Sequence, residues 1–244
     1  MADLFMIGNM KFKLARPILS PELLGIIRRE VRTQKIPVYP MTKKNLKEMA
    51  EVSKQIQKSG CPEHLVCKKL PNNLGSGIFL HPDAKPLLKG QVIASYAGEI
   101  SVVVQNEPDD EGDYSFAPLE HFRLSKNEQI LLDKKFSYHA RRHYALKLDA
   151  LKQGNFTRFI NHSVKPNVYA EMLKIPKNPY GLAPAPIEIV YLVKKTVLPG
   201  EQLLISYEAG EKSYWNAVNI KPFPMTPKTF RLNASLNLVS RVSF

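Results

Sequence analysis

Cysteine is scarce in this sequence. The 244 residues contain two cysteines, Cys61 and Cys67, which lie six positions apart. Two thiols cannot build a disulfide framework, and they are too few for a cysteine-rich zinc site. Because chains without a disulfide framework are typical of reducing compartments, we expect this protein to work inside a cell.

Long apolar runs are absent as well. No stretch approaches the roughly 20 apolar residues that span a bilayer, so we expect no membrane partner. Residues 1–19 lack a basic segment followed by an apolar one, and a secretory signal peptide of that kind is not expected. The hydrophobic fraction of 44% is typical of a globular protein and argues against wholesale disorder.

Acidic residues are outnumbered by basic ones. The chain has 22 Asp and Glu against 35 Lys and Arg, which gives a formal net charge of +13. The excess is largest in residues 1–70, where 14 basic residues face 6 acidic ones. Such a surface can attract nucleic acid or an acidic partner, or it can simply keep the chain soluble, and the sequence leaves these alternatives open.

The secondary-structure pattern changes along the chain. Ser20, followed by a proline and an acid, is a typical helix start, and a second helix is predicted from Thr42 to a stop at Gly60. From about residue 71, short β-rich runs are separated by Gly, Pro and Asn. Because no long helices alternate with them, the pattern argues against a doubly wound parallel sheet. We predict a mainly β fold with short helices, preceded by a helical region at residues 1–70.

Four short motifs follow one another in the β-rich part. They are Gly75-Ser76-Gly77 at a strand start, Tyr96-Ala97-Gly98-Glu99 at a strand end, GNFTRFINHSVKPN at residues 154–167 and PGEQLLISY at residues 199–207. Their order resembles that of SET domain protein-lysine methyltransferases over roughly residues 72–216, and compact bacterial members such as the chlamydial nuclear effector methyltransferase are the most similar. The resemblance implies a SET domain at residues 71–216 with a variable insert at about 100–148, followed by a post-SET segment at residues 217–244.

The resemblance also implies small β-sheets around a pseudoknot and a binding site for S-adenosylmethionine beside it. Asn161 would contact the amino-acid end of this cofactor, and the backbone of His162 would contact its adenine. The full set of cofactor-binding residues that the resemblance implies is Ser76, Gly77, Ile78, Arg158, Asn161, His162, Tyr207 and Trp215. Taken alone, His162 would also fit a core histidine, and Trp215 a core tryptophan.

The implied reaction moves a methyl group from a sulfonium to a lysine amine. At pH 8, a free lysine with a pKa of about 10.4 is neutral in only about 1 molecule of 250, and an apolar channel lowers that pKa by desolvation. Tyr207 matches the catalytic tyrosine of the family. Tyr96 and Tyr114 are expected to wall the channel or the cofactor pocket, although an aromatic residue on a strand also suits a core.

Val164 departs from the pattern of many eukaryotic SET proteins, which have a cysteine there and complete a zinc site with it. The chain has no cysteine beyond Cys67, so we expect no metal. The wall that such a zinc cluster provides must be built by other residues, and Trp215 is expected to cover the adenine.

The variable insert is acidic. Residues 107–113 contain five acidic residues within seven positions. They would attract a basic substrate, such as a histone tail or a histone-like protein, although a solvated loop can have the same composition. Such a substrate would be met in the bacterial cytoplasm or, for a secreted effector, in the nucleus of a host cell.

Two alternatives belong to other functional classes. One is a catalytically silent SET fold that only binds proteins. The other is a nucleic-acid-binding protein that acts through the basic residues 1–70. Cofactor binding together with labelling of histones would indicate an enzyme and not the first alternative. Salt-sensitive binding of DNA would support the second alternative.

Overall fold

Helices lie mostly in the front third of the molecule. The computed structural model describes residues 12–105, 115–132, 141–208 and 222–232. Within these ranges the helices are α1 (Pro21–Thr33), α2 (Lys43–Ser59) and α3 (Lys126–Leu132). None of the described helices is both long enough and apolar enough to cross a membrane.

Short strands make up most of the remaining described structure. They are β1 (Tyr39–Pro40), β2 (Leu65–Lys69), β3 (Ser76–Leu80), β4 (Val92–Ser95), β5 (Glu99–Val104), β6 (Ser115–Phe122), β7 (Tyr144–Asp149), β8 (Asn161–His162), β9 (Val168–Ile175), β10 (Ala185–Val193) and β11 (Leu204–Ile205). One sheet has the order β1-β9-β10-β4, a second has the order β5-β7-β6, and β2-β3 and β8-β11 form pairs. These small sheets behind a helical front region confirm the predicted fold class.

Local sequence signals set the two long helices. The side-chain oxygen of Ser20 accepts a hydrogen bond from the Leu23 N–H at 3.3 Å, and that of Thr42 accepts one from Asn45 at 3.1 Å. Gly60 ends α2 with a φ of 81°, a left-handed conformation that glycine adopts without strain. Both predicted helix starts and the predicted stop are confirmed.

The helices complete the cores on the two larger sheets. Ile27 of α1 packs with Leu146 of the three-stranded sheet. Met49 of α2 packs with Val92 and Val190 of the four-stranded sheet. The β2-β3 hairpin connects this front region to the strands that follow, and the domain boundary at about residue 70 stays a prediction.

Candidate functional site

Two late segments of the chain meet at β8 and β11. The strands pair in parallel, with Asn161 opposite Leu204 and His162 opposite Ile205. The backbone N–H of Ser163 donates to the Ile205 carbonyl oxygen at 2.8 Å. In this register the backbone N–H and C=O of His162 point to the edge of β8 that faces away from β11. The crossing of β8 and β11 therefore presents two polar side chains and a strand edge in one place.

Asn167 holds the crossing together. Its buried side chain donates from Nδ2 to the Gln202 carbonyl oxygen at 2.9 Å and accepts at Oδ1 from the Leu204 N–H at 2.8 Å. Its own carbonyl oxygen accepts from the Lys194 N–H at 2.8 Å. One side chain thus fixes the approach to β11. Sequence analysis assigned Asn167 no role. Its position at the end of the motif at residues 154–167 was the feature that could have indicated one.

Asn161 joins the crossing to the start of β3. Its Nδ2 donates to the Ser76 carbonyl oxygen at 2.7 Å. The other N–H and the carbonyl oxygen of this half-buried amide have no hydrogen-bond partner among the described residues. The structure therefore brings two of the predicted cofactor-binding residues together and leaves polar atoms there for a ligand.

The next two residues of β3 have different surroundings. Gly77 lies so close to the fully buried Gln202 that a Cβ at position 77 would overlap Nε2 of that side chain. Ile78 is buried in the main core with Ile160 and Ile205. A cofactor contact at either residue would therefore come from its backbone.

Tyr207 lies against the ring of His162. Its backbone N–H donates to Nδ1 of His162 at 3.0 Å, its hydroxyl donates to the Ile160 carbonyl oxygen at 3.1 Å, and the two ring centroids lie 5.5 Å apart. Because Nδ1 accepts a hydrogen bond, the imidazole is neutral in this arrangement. Burial lowers its pKa, against a smaller opposing effect of Glu208. The structure thus brings Tyr207, His162 and Asn161 together.

Tyr96 belongs to a group of aromatic residues next to the crossing. Its ring centroid lies 4.7 Å from that of Phe116 and 5.7 Å from that of Tyr191. Burial raises the pKa of the Tyr191 hydroxyl well above its ordinary value, and Tyr96 and Tyr207 act in the same direction. We call Tyr96, Phe116, Tyr191 and Tyr207 the aromatic wall. Sequence analysis did not predict Phe116 and Tyr191, and a tyrosine within an aliphatic strand was the signal for the latter.

Arg158 contacts the backbone of the preceding loop. Its guanidinium donates to the carbonyl oxygens of Ala150 at 2.6 Å and Leu151 at 2.9 Å. The same group lies 4.9 Å from the ring centroid of Phe12 and 5.3 Å from that of Phe159. These contacts hold the 3₁₀ turn Phe156–Phe159, which precedes β8. A contact of Arg158 with the cofactor stays a prediction.

Residues 222–232 pass beside the crossing. The hydroxyl of Ser163 donates to the Met225 carbonyl oxygen at 2.6 Å, which attaches this segment directly behind the Asn-His pair. The predicted channel residue Tyr114 and the predicted adenine cover Trp215 lie outside the described residues. In the part of the chain that is described, residues 222–232 thus lie next to the motif that contains Asn161 and His162.

The described residues offer little for a metal. They contain no group of three or more His, Cys, Asp or Glu side chains that could hold one. Val164 is 70% exposed, and burial raises the pKa of the Cys67 thiol to about 12, so this thiol stays protonated at neutral pH. That the whole protein holds no metal stays a prediction.

Known proteins match this architecture. A model of the SET domain matches residues 77–208, which is more than half of the chain. The structure of ATXR5 in complex with a mono-methylated histone H3.1 is similar at a TM-score of 0.55 and 15% identity, over 83% of this chain and 85% of that one. The ATXR5 SET domain in complex with a di-methylated histone H3 is similar at a TM-score of 0.50 and 17% identity, over 76% of each chain. At these identities the likeness shows the fold, and the likeness to compact bacterial members stays a prediction.

Proposed function

Because this chain belongs to the SET domain family, we propose that it transfers a methyl group from S-adenosylmethionine to a lysine of a basic protein, such as a histone or a histone-like protein. The observation that carries the proposal is the 3.0 Å hydrogen bond from the Tyr207 N–H to His162, with Asn161 beside it. The three residues that the family resemblance makes functional come from two distant segments, Asn161 and His162 from one and Tyr207 from the other, and lie together at the crossing.

The residues of the crossing fit the polar parts of S-adenosylmethionine. The N–H and carbonyl oxygen of the Asn161 amide that have no partner among the described residues suit the carboxylate and ammonium of an amino acid. The family resemblance assigns the backbone of His162, which faces away from β11, to the adenine. Bound S-adenosylmethionine would supply an activated methyl group on a sulfonium.

The aromatic wall would act on the lysine amine. An ammonium that enters among buried rings loses hydration, so its pKa falls and the neutral nucleophile becomes more common. Because the Tyr207 hydroxyl donates its proton to the Ile160 carbonyl oxygen, its lone pairs remain able to accept an N–H from the amine. We therefore assign Tyr207 to alignment of the amine and not to removal of its proton.

A methyl-labelling experiment tests the proposal. The protein is incubated with methyl-labelled S-adenosylmethionine and mixed histones, and mass spectrometry locates the label; histones with chemically blocked lysines serve as the control. We expect label on lysine in the unblocked histones alone. Cofactor or histone binding without labelling would favour the catalytically silent SET fold. Labelling of blocked and unblocked histones alike would contradict lysine as the acceptor.

Asn161→Ala is expected to weaken cofactor binding. Loss of a partner for a buried polar group costs about 1–3 kcal/mol, or about 5- to 150-fold in Kd. Calorimetry with S-adenosylmethionine and, separately, with a histone peptide measures the effect, and the peptide affinity should change less. Asn178→Ala is a matched control, because Asn178 bonds only within its own loop. Unchanged cofactor affinity in Asn161→Ala would remove the assigned role.

The acidic insert is expected to raise the rate of encounter with a basic substrate. A variant with Asp109→Asn, Asp110→Asn and Glu111→Gln should have a higher KM for a histone-tail peptide and a flatter salt dependence, with kcat and cofactor affinity little changed. The reason is that exposed charges act over a screening length of about 8 Å and affect encounter more than chemistry. These residues lie outside the described ranges, so the prediction rests on charge alone.

Steady-state kinetics at low and high salt measures this effect. The matched control neutralises three exposed acidic residues elsewhere, namely Glu51, Glu63 and Asp83. If the insert variant has the KM of the parent protein at low salt, residues 107–113 are only a solvated loop and do not attract the substrate.

A further inference from the structure

Helix α2 carries a row of lysines on its solvent side. The four residues are exposed, and we call them the lysine ridge: Lys43, Lys47, Lys54 and Lys58. At 3.6 residues per turn they fall within an arc of about 60°, and at 1.5 Å per residue they extend over about 22 Å. The ridge is therefore a narrow, straight row of lysines that extends over about four turns of the helix.

The ridge is held on a rigid support. Buried residues of α2 such as Met49 and Val52 pack into two different cores, and both ends of the helix are capped. Beyond the C-terminal end of the ridge, Lys13 donates from Nζ to the Lys58 carbonyl oxygen at 3.0 Å and adds a fifth positive charge. The spacing of the charges is thus set by the fold and not by a mobile tail.

The positive charge of the ridge is not neutralised by neighbours. None of its four lysines forms a salt bridge within the described ranges. At its margin, Lys44 forms an ion pair with Glu48 at 3.8 Å, and the exposed Glu51 adds one negative charge between Lys47 and Lys54 along the helix. The ridge therefore presents four lysine charges to solvent, with one acidic charge at its margin.

The chemistry of the ridge favours a phosphate backbone over a protein partner. Protein interfaces depend on aromatic and apolar anchors, and the remaining exposed residues of α2 are polar or charged: Lys44, Glu51, Gln57 and Ser59. Single-strand binding depends on aromatic stacking, for which the ridge has no side chain. A duplex backbone needs only regularly placed cations, and it carries one charge about every 3.4 Å along each strand.

We propose that the lysine ridge binds the phosphate backbone of double-stranded DNA without reading its sequence. Lysines on phosphates fix position but carry no base specificity. A helix face that lies along one strand over about 22 Å can reach several successive phosphates. The occupant is a DNA duplex of any sequence.

The ridge ends close to the candidate site. Lys13, at its C-terminal end, is followed by Leu14, whose N–H donates to the Gly154 carbonyl oxygen at 3.0 Å, and it is preceded by Phe12, which lies under Arg158. A duplex on the ridge thus runs toward the turn that leads into β8. If the proposed function holds, DNA would present a basic protein that is bound to the same duplex.

Fluorescence anisotropy with a labelled DNA duplex of mixed sequence tests the ridge. The variant changes all four ridge lysines to glutamine, which keeps helix propensity similar. A matched control removes the same charge from four exposed lysines elsewhere: Lys85, Lys89, Lys194 and Lys195. We expect the slope of log affinity against log salt concentration to become flatter by about 3.6 in the ridge variant, because each lysine-phosphate contact contributes about 0.9. The control should keep the parental slope.

Three results would overturn the proposal. Equal loss in the ridge and control variants would show that only net charge matters. Binding that does not depend on salt, or tighter binding of an RNA duplex or a single strand of the same sequence, would exclude double-stranded DNA as the occupant. Circular dichroism and thermal melting check that each variant is folded.

Activity assays separate this proposal from the proposed function. Methylation of a free histone-tail peptide should be equal in the parent and the ridge variant. Methylation of a histone on DNA should fall in the ridge variant alone. A parent protein that binds DNA through the ridge but does not methylate would contradict the proposed function and support the DNA-binding proposal. A protein that methylates but does not need the ridge to bind DNA would support the proposed function and contradict the DNA-binding proposal.

Discussion

Tyr207→Phe should fold and bind S-adenosylmethionine like the parent protein but lose methyl transfer, with kcat lower by about 100-fold or more. The hydroxyl is the polar group of Tyr207: it donates to the Ile160 carbonyl oxygen, and in the proposed reaction its oxygen would accept an N–H from the substrate amine. Without it, the ring still fills its place, but the amine loses the group that aligns it.

Steady-state kinetics with a histone substrate measures the loss, and calorimetry measures cofactor binding. Tyr39→Phe is the matched control, because Tyr39 is 58% exposed on β1, away from the crossing. Parental turnover in Tyr207→Phe would refute the assignment. A similar loss in both variants would point to a general effect on the fold.

Asn167→Ala should lower the free energy of unfolding by about 2–6 kcal/mol. The substitution leaves two buried backbone groups without partners, the Gln202 carbonyl oxygen and the Leu204 N–H, and each costs about 1–3 kcal/mol. Because β11 pairs with β8 next to these groups, cofactor binding should weaken as well.

Denaturant unfolding measures this change in stability. Asn178→Ala is again a suitable control, since its side chain also makes several hydrogen bonds to backbone but only within a half-buried loop. We expect the control to lose about 1 kcal/mol or less. Equal small losses in the two variants would show that Asn167 is not essential to the crossing.

The elements that the sequence predicted well are those with local causes. The starts at Ser20 and Thr42 and the stop at Gly60 depend on hydrogen bonds and backbone angles within a few residues, so the residues themselves reveal them. The small sheets followed from short β-rich runs, and the family resemblance placed Asn161 and Tyr207 in motifs that the structure brings together.

The features that sequence analysis missed depend on contacts between distant residues. The ring of Tyr191 in β10 contacts that of Tyr96, which follows β4, and a tyrosine within an aliphatic strand suits a plain core position equally well. The bond from Ser163 to Met225 is likewise set by how two distant segments pack. No local pattern encodes such contacts, because the partner is fixed only when the fold is complete.

The attachment of residues 222–232 to the crossing has a consequence for the order in which the protein forms during synthesis. The ribosome releases α1 and α2 first, and the contacts of α2 with β4 can form while later segments are still being made. The crossing, by contrast, joins Ser76 to Asn161 and Ser163 to Met225, so it closes loops of great length and does so late. A nascent chain in which Tyr207 has left the ribosome still lacks residues 222–232, which bond to the segment that contains Asn161 and His162. We therefore expect methyl-transfer competence to arise as one of the last events of folding, after release of the segment that contains Met225.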